Sequence, residues 1–366
     1  MSDLSANVAD FRQRLLTYKE AIDADIEAYT PHVKRITKEQ FGAYPSVVTD
    51  AYLDLLSRGG KRIRGTLVML GYEMCGGQDR QMIVRAATAL EMTHTYILIL
   101  DDIQDRSKRR RGKPTVHEML AAYHREHNLR GDADHTGVAL AINAACAGLH
   151  AAQVLLAGLS VSDELKVKAL GIVNHTMITT AHGQTIDIMN ELANDVADKD
   201  VDQVMEWKTA HYTILNPLCT GMVLAGAGCE DTDAIREYSL HTGMAFQITD
   251  DIMGVFGDDS QTGKSIMDDI REGKRTLLTQ YALEHADVAS RERLKDCLGK
   301  EDLSQEEFDA CRTVLLESGA LKHAQDRAKY HVEQALASLD RNAHRWQPEP
   351  TELLRGIAQS LLKRVA

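Results

Sequence analysis

The sequence predicts an all-α protein, one large bundle of ten or more helices, and three observations carry that prediction. Prolines are few: none falls between Pro114 and Pro217 or between Pro217 and Pro348, and such tracts suit long helices. Strand signals are nearly absent, with no sustained apolar–polar alternation and no Asn-Gly hairpin turn. Helix signals recur instead, among them the capping box Ser304-Gln305-Glu306-Glu307. With 366 residues, 44% of them hydrophobic, the chain can bury a substantial core. No Pro/Ser-rich hinge, low-complexity tract or fixed-period repeat divides it, so a single domain over 1–366 is expected.

Taken in order, the N-terminal MSDLSANVADF carries acid and lacks an apolar h-region, so it does not read as a signal peptide. Residues 81–105 run without Gly or Pro into Asp101-Asp102-Ile103-Gln104-Asp105, and a basic stretch follows at 106–113. His124, His127, Asp132, Asp134 and His135 match no zinc spacing and read as a surface loop or helix end. Residues 138–161 carry no charge and are long enough to cross a bilayer. Asn143, His150 and Gln153 form a polar stripe on that stretch, which fits a buried or subunit-interface helix better than a membrane span. Residues 235–254, interrupted only by Gly243, lead into Asp250-Asp251. The C-terminal LLKRVA offers no prenylation cysteine. The six cysteines are scattered without a CxxC pair and read as reduced thiols of a cytosolic protein. A net charge of -12 argues against nucleic acid or an anionic membrane surface as the main partner.

The two aspartate clusters are the candidate chemistry. At ~100° per residue, His94, Asp101 and Asp105 fall within about 40° of one another, and Asp102 points roughly a quarter-turn away. On the second helix Gln247, Asp250, Asp251 and Gly254 follow i, i+3, i+4, i+7, again one face. Apolar runs precede both clusters, Ile97-Leu98-Ile99-Leu100 and Met244-Ala245-Phe246, which places the carboxylates at a pocket mouth and not on a free surface. Facing carboxylates repel unless a cation lies between them. The lysines and arginines nearby, Arg106 to Arg111, Lys264 and Lys274, point to an anionic ligand. A magnesium-bound phosphate or diphosphate satisfies both.

The order of motifs names a family. GGKRIRG at 59–65 is followed by DDIQDRSKRRRGKPTVH from Asp101, WKTAHYT at 207–213, FQITDDIMGVFGD at 246–258 and TGKSIMDDIREGKRT at 262–276. The set resembles the trans-isoprenyl diphosphate synthases of the polyprenyl synthetase family over about residues 50–280, with helical additions at both ends. The resemblance implies the type I isoprenoid synthase fold, helices around a central cavity, and a cytoplasmic homodimer. It implies a prenyltransferase that condenses isopentenyl diphosphate with dimethylallyl, geranyl or farnesyl diphosphate. Magnesium, about three ions per site, would assist ionisation of the allylic partner by stabilising charge on the leaving diphosphate.

Carried over residue by residue, Asp101, Asp105 and Asp250 would hold magnesium, with Asp102 and Asp251 acting behind them. Arg110, Lys208, Thr209, Gln247, Lys264 and Lys274 match contacts to the allylic diphosphate. Lys61, Arg64, His94 and Arg111 match the isopentenyl diphosphate pocket. Arg106, Lys108 and Arg109 read as solvated loop charge. Gly183-Gln184-Thr185-Ile186-Asp187 resembles a helix lining the hydrocarbon cavity, and Trp207 and Tyr212 read as core or wall. Asp258-Asp259 and Asp268-Asp269 read as loop acids near the second helix, with Asp269 a candidate to orient Lys264 or Lys274. Tyr96 and Ile97, just before the first aspartate, resemble the chain-length pattern for a C20 product, geranylgeranyl diphosphate, with C15 farnesyl diphosphate as the alternative.

Two departures stand out: Gly254 replaces the last acid of a second DDxxD, and ALAINAACAG at 139–148 lacks the family's Gly-Asp pair. Two further readings share part of the pattern. A class I terpene cyclase needs no second diphosphate pocket, whereas this chain has Lys61, Arg64 and Arg111. A non-catalytic subunit of a prenyl synthase heteromer usually loses aspartates or arginines, and here both leading pairs are kept.

Overall fold

The computed structural model describes residues 2–257 and 265–363, with side chains from residue 13 onward. Helices dominate the described residues: α1 Ser2–Phe41, α2 Ala43–Ser57, α3 Ile63–Met74, α4 Arg80–Gln104, α5 Val116–Glu126, α6 Ala133–Ala157 and α7 Asp163–Leu192. There follow α8 Asp198–Val204, a π-helix Met205–Leu215, α9 Asn216–Leu224, α10 Cys229–Ala234 and α11 Arg236–Phe256. The C-terminal part holds α12 Asp268–Glu272, α13 Leu277–His285, α14 Val288–Cys297, α15 Gln305–Glu317, α16 Ala320–Asn342 and α17 Pro348–Leu362. The expected all-α class is the observed one. The only strands among the described residues are Arg109–Arg110 and Lys113–Pro114, a minimal antiparallel hairpin that sequence reasoning read as loop.

The chain forms two compact units, one of residues 1–171 and 220–227, the other of 172–219 and 228–366. In the first, α4 packs against α3 and α6, and buries Met82, Ile83, Leu90, Met92, Leu98 and Ile99. Asp79 starts α4 as N-cap, its side chain accepting from the Met82 amide. A buried ion network fixes the start of α3: Arg62 reaches Asp23 at 2.8 Å and Glu91 at 3.4 Å and donates to the Leu56 carbonyl at 2.8 Å. Glu91 also accepts from the Gly65 amide at 2.9 Å, so both charges have hydrogen-bond partners as well as each other.

In the second unit α11 lies against both the π-helix and α16. A core of Val201, Met205, Ile248, Ile252, Ile270, Leu278, Phe308, Val314 and neighbours packs beneath it. The Ser304 capping box forms as expected, with Ser304 accepting from the Glu307 amide and Glu307 accepting from the Ser304 amide. Tyr238 of α11 donates to the Leu354 carbonyl of α17 at 2.7 Å, which satisfies the phenol of a fully buried ring.

Candidate active site

In the first unit the long apolar helix α4 delivers its last turn as acid. Asp101 and Asp102 lie in that turn and Asp105 is the C-cap, its amide donating to the Asp101 carbonyl at 2.8 Å. Asp102 is 1% exposed whereas Asp101 and Asp105 are half-buried, the split that the helical wheel predicts. Arg110 binds both members of the leading pair, Nε to Asp102 at 2.6 Å and Nη2 to Asp101 at 3.0 Å. Those carboxylates outweigh the cost of its burial and hold its guanidinium above the usual arginine range.

Arg110 and Arg111 reach their places through the hairpin. Its turn is Arg111-Gly112, both with positive φ (53° and 74°), the combination that matches the twist of a tight two-residue connection. Arg58, which sequence reasoning missed, donates to the Arg110 carbonyl at 3.1 Å and to Asp54 at 2.7 Å. Arg111 donates to the carbonyls of Leu55 and Gly59, and its guanidinium covers Gly60, where a Cβ would come within 2.9 Å. Burial and then the Arg62 charge lower Arg111 to about 10, still cationic at neutral pH. Arg64 lies 3.4 Å from His94 Nε2. Burial first, then Arg64, Arg111 and Arg110, hold His94 well below the usual histidine range, so it is neutral. Lys61 is exposed beside them, as are Arg106, Lys108 and Arg109. Tyr96 and Ile97 are half-buried on α4, and burial, with Cys146 of α6 nearby, raises the Tyr96 phenol.

In the second unit the π-helix carries Lys208 and Thr209. Thr209 donates to Gln247 Oε1 at 2.6 Å, and Gln247 Nε2 donates to Asp251 Oδ1 at 2.6 Å. This chain ties the π-helix to the acidic face of α11. Asp251 is 7% exposed; Asp250, one residue earlier, is half-buried. Burial, then the carboxylates of Asp269, Asp250 and Asp187, push Asp251 well above the carboxylate range, against the lowering effect of the Gln247 hydrogen bond. Lys208 binds Asp187 at 2.6 Å, and Lys274 binds Glu191 at 2.7 Å and Asp187 at 3.5 Å. Asp187 therefore holds the two lysines, contacts that the reading of its segment as a cavity-lining helix did not anticipate. Glu191, one turn further along α7, had no sequence signal. Lys264, Asp258 and Asp259 lie outside the described residues. Tyr212 is buried at 3% exposure, a core residue as read.

The proposed metal ligands of both units are carboxylate oxygens, the donor type that suits magnesium. The histidines and acids of the 124–135 segment, by contrast, are engaged locally. His124 is buried against the Arg130 carbonyl, and Asp132 is the N-cap of α6, accepting from the Asp134 and His135 amides. An acidic pair beside basic side chains in each unit, on an all-α scaffold, suits the handling of a diphosphate.

The polyprenyl synthetase family model matches residues 45–315, and the chain belongs to that family and is a prenyltransferase. The match extends past the 50–280 span that the motifs cover. The chain is 33% identical over 326 residues to a geranylfarnesyl diphosphate synthase of Aeropyrum pernix, covering 88% of this chain and 95% of that one. It is 30% identical to a geranylgeranyl diphosphate synthase of Saccharolobus solfataricus, over 84% and 86% of the two chains. A geranylgeranyl pyrophosphate synthase of Corynebacterium glutamicum, solved with isoprenyl diphosphate and magnesium, superposes with a TM-score of 0.89 at 31% identity, covering 95% and 98%.

Proposed function

We propose that this prenyltransferase condenses isopentenyl diphosphate with allylic diphosphates and releases mainly the C20 product, geranylgeranyl diphosphate. The single observation that carries the reading is the paired set, Asp101/Asp102 with Arg110 in one unit and Asp250/Asp251 with Lys208 and Lys274 in the other. Neither set makes sense as a solvated surface, because Asp102 and Asp251 are buried. Relatives named as geranylgeranyl synthases support the C20 product, and a farnesyl synthase 31% identical to the chain keeps C15 as the alternative.

Asp101, Asp105 and Asp250 are the residues that would hold magnesium, with about three ions expected from the family. When bound, those cations stabilise the negative charge that develops on the leaving diphosphate. The rest is done by this chain. Arg110, now neutralising Asp101 and Asp102, is positioned to share its charge with an arriving diphosphate. Lys208 and Lys274, held by Asp187 and Glu191, are pre-oriented cations for the allylic diphosphate, a role also expected of Lys264 from the family resemblance. Thr209 and Gln247 fix the distance between the π-helix and the acidic face of α11.

Lys61, Arg64 and Arg111 are proposed to bind isopentenyl diphosphate, which keeps its diphosphate and so requires cations without metal. Neutral His94 adds a hydrogen bond there without adding charge. The homoallylic double bond then attacks the allylic cation and a proton leaves; among the described residues no side chain is an evident base, and the released diphosphate is proposed to take it. A cyclase would not need the Lys61, Arg64 and Arg111 set.

The decisive experiment supplies isopentenyl diphosphate with dimethylallyl, geranyl or farnesyl diphosphate and resolves the products by chromatography. A C20 product that needs isopentenyl diphosphate is expected. Cyclised hydrocarbon without isopentenyl diphosphate, or no turnover from any primer, overturns the reading.

A further inference from the structure

We propose that Asp269 supplies, from α12, the carboxylate that position 254 lacks, so that the second acidic motif is completed by two segments of the chain. The inference rests on the metal-dependent reading above. In the family pattern the third acid of the motif would stand at 254, one helical turn beyond Asp250. Here that residue is Gly254. The space is filled: a Cβ built on Gly254 would lie 2.4 Å from Asp269 Oδ2 and 3.3 Å from its Cγ. The carboxylate therefore sits where the first atom of a residue-254 side chain would be.

Direction matters as well as distance. A Cα–Cβ bond on a helix tilts toward the N-terminus, so the Cβ site of 254 lies on the Asp250 side of its turn. Residues four apart are neighbours on a helix surface, with Cβ atoms about 5–6 Å apart. The Asp269 carboxylate thus joins the Asp250 ridge. Glycine at 254 is what admits it; any larger residue would displace it, and an aspartate there would set two carboxylates in one space.

The backbone holds Asp269 in place. It lies in α12, and its carbonyl accepts from the Lys274 amide at 2.9 Å. The short stretch 268–274, the helix and the two residues after it, therefore presents Asp269 toward Gly254 and Lys274 toward Asp187 and Glu191. Asp269 would offer an oxygen toward a cation held at Asp250, so that the motif keeps three acids drawn from two segments.

The test uses the full-length enzyme, magnesium and inorganic diphosphate, and reads the thermal midpoint as magnesium is titrated, alongside the magnesium needed for half-maximal turnover. Four proteins are compared: wild type, Asp269→Asn, Gly254→Asp and the double variant Gly254→Asp/Asp269→Ser. Asp269→Asn keeps size and removes charge, and should need about 10-fold to 100-fold more magnesium for the same midpoint shift. Gly254→Asp alone should be weakened too, because its Cβ collides with Asp269. The double variant, which moves the acid back to 254, should recover most of the lost magnesium affinity. A merely structural Asp269 would lower the midpoint without metal and leave the magnesium dependence unchanged. Magnesium dependence equal to wild type in Asp269→Asn, or no recovery in the double variant, overturns the proposal while leaving the functional reading intact. A wild type that shows no shift with magnesium and diphosphate overturns both.

Discussion

At the residue scale the two aspartate sets differ in how they meet the ligand, and the variants should show it. Asp101→Ala or Asp250→Ala removes an oxygen ligand that supports charge in the transition state, so turnover should fall by about 10²–10³-fold at ordinary magnesium. Near-normal turnover in either purified variant would refute the metal assignment. The cationic residues should divide by substrate. Lys61→Ala and Arg64→Ala should chiefly raise the KM for isopentenyl diphosphate, and Lys208→Ala should act on the allylic substrate and kcat. Equal effects on both substrates from every variant would show the pocket assignment to be wrong.

A second residue-scale prediction concerns stability. His331 is 6% exposed, its Nδ1 lies 2.8 Å from His241 Nδ1, and burial, then His241 and Arg327, lower it to about 4. The unfolded chain takes up a proton at this residue near pH 6.5, whereas the folded chain does so only near pH 4. Between those values the unfolded state binds more protons, so stability from this group is present above pH 6.5 and is lost as pH falls toward 4. Lining the same face are Glu206, Arg236, Glu237 and His241. His331→Gln should flatten the pH dependence of the thermal midpoint over that window. An unchanged slope would assign the acid sensitivity to other groups.

At the scale of elements the sequence is most informative where a pattern is local. The run-up of α4 and α11 to their aspartates and the Ser304 capping box depend on residues a few positions apart, and each is legible. What is not legible is set by distance in the chain. Arg58 reaches the Arg110 carbonyl across 52 residues, Lys208 reaches Asp187 across 21, and Lys274 reaches Glu191 across 83, and no periodicity announces such pairs. The π-helix is invisible for a different reason: its wider backbone spacing leaves the residue types of 205–215 looking like ordinary helix. The hairpin escapes notice because its turn is Arg111-Gly112 and its strands have two residues each. Position 254 reads as a lost acid until Asp269 is seen over it.

Chain length belongs to this scale as well. Tyr96 sits on α4 with Cys146 of α6 close enough to perturb it, so the ring lies where two packed helices meet. At ~100° per residue Tyr96 lies about 140° from Asp101 around α4, so its role as the block to a growing tail is proposed from the family resemblance alone. Tyr96→Ala should shift products beyond C20, read by chromatography. An unchanged distribution would put the floor of the cavity on other residues.

At the scale of the whole molecule the telling element is α6. Both α4 and α6 are long and apolar enough to cross a membrane by length and composition, but 67% of the apolar window is buried in α4 and only 28% in α6. Helix α4 is thereby explained as core. Helix α6 leaves Ile142 at 43% and Val154 at 72% exposure, with Asn143, Cys146 and His150 exposed between them. A face of that kind, apolar with a few polar groups, fits burial against protein better than exposure to water, and a stable interface takes roughly 800 Å² from each partner. The Asn143 amide argues against lipid as the cover, since a polar group in hydrocarbon is costly unless it is paired. The protein should therefore sediment as a homodimer at micromolar concentration. Ile142→Asp with Val154→Asp places charge on exposed positions where it costs the isolated chain little and an apolar interface a great deal. The double variant should sediment as a folded monomer, with its helical signal unchanged. A wild-type monomer, or a double variant that stays dimeric, would remove α6 from the interface.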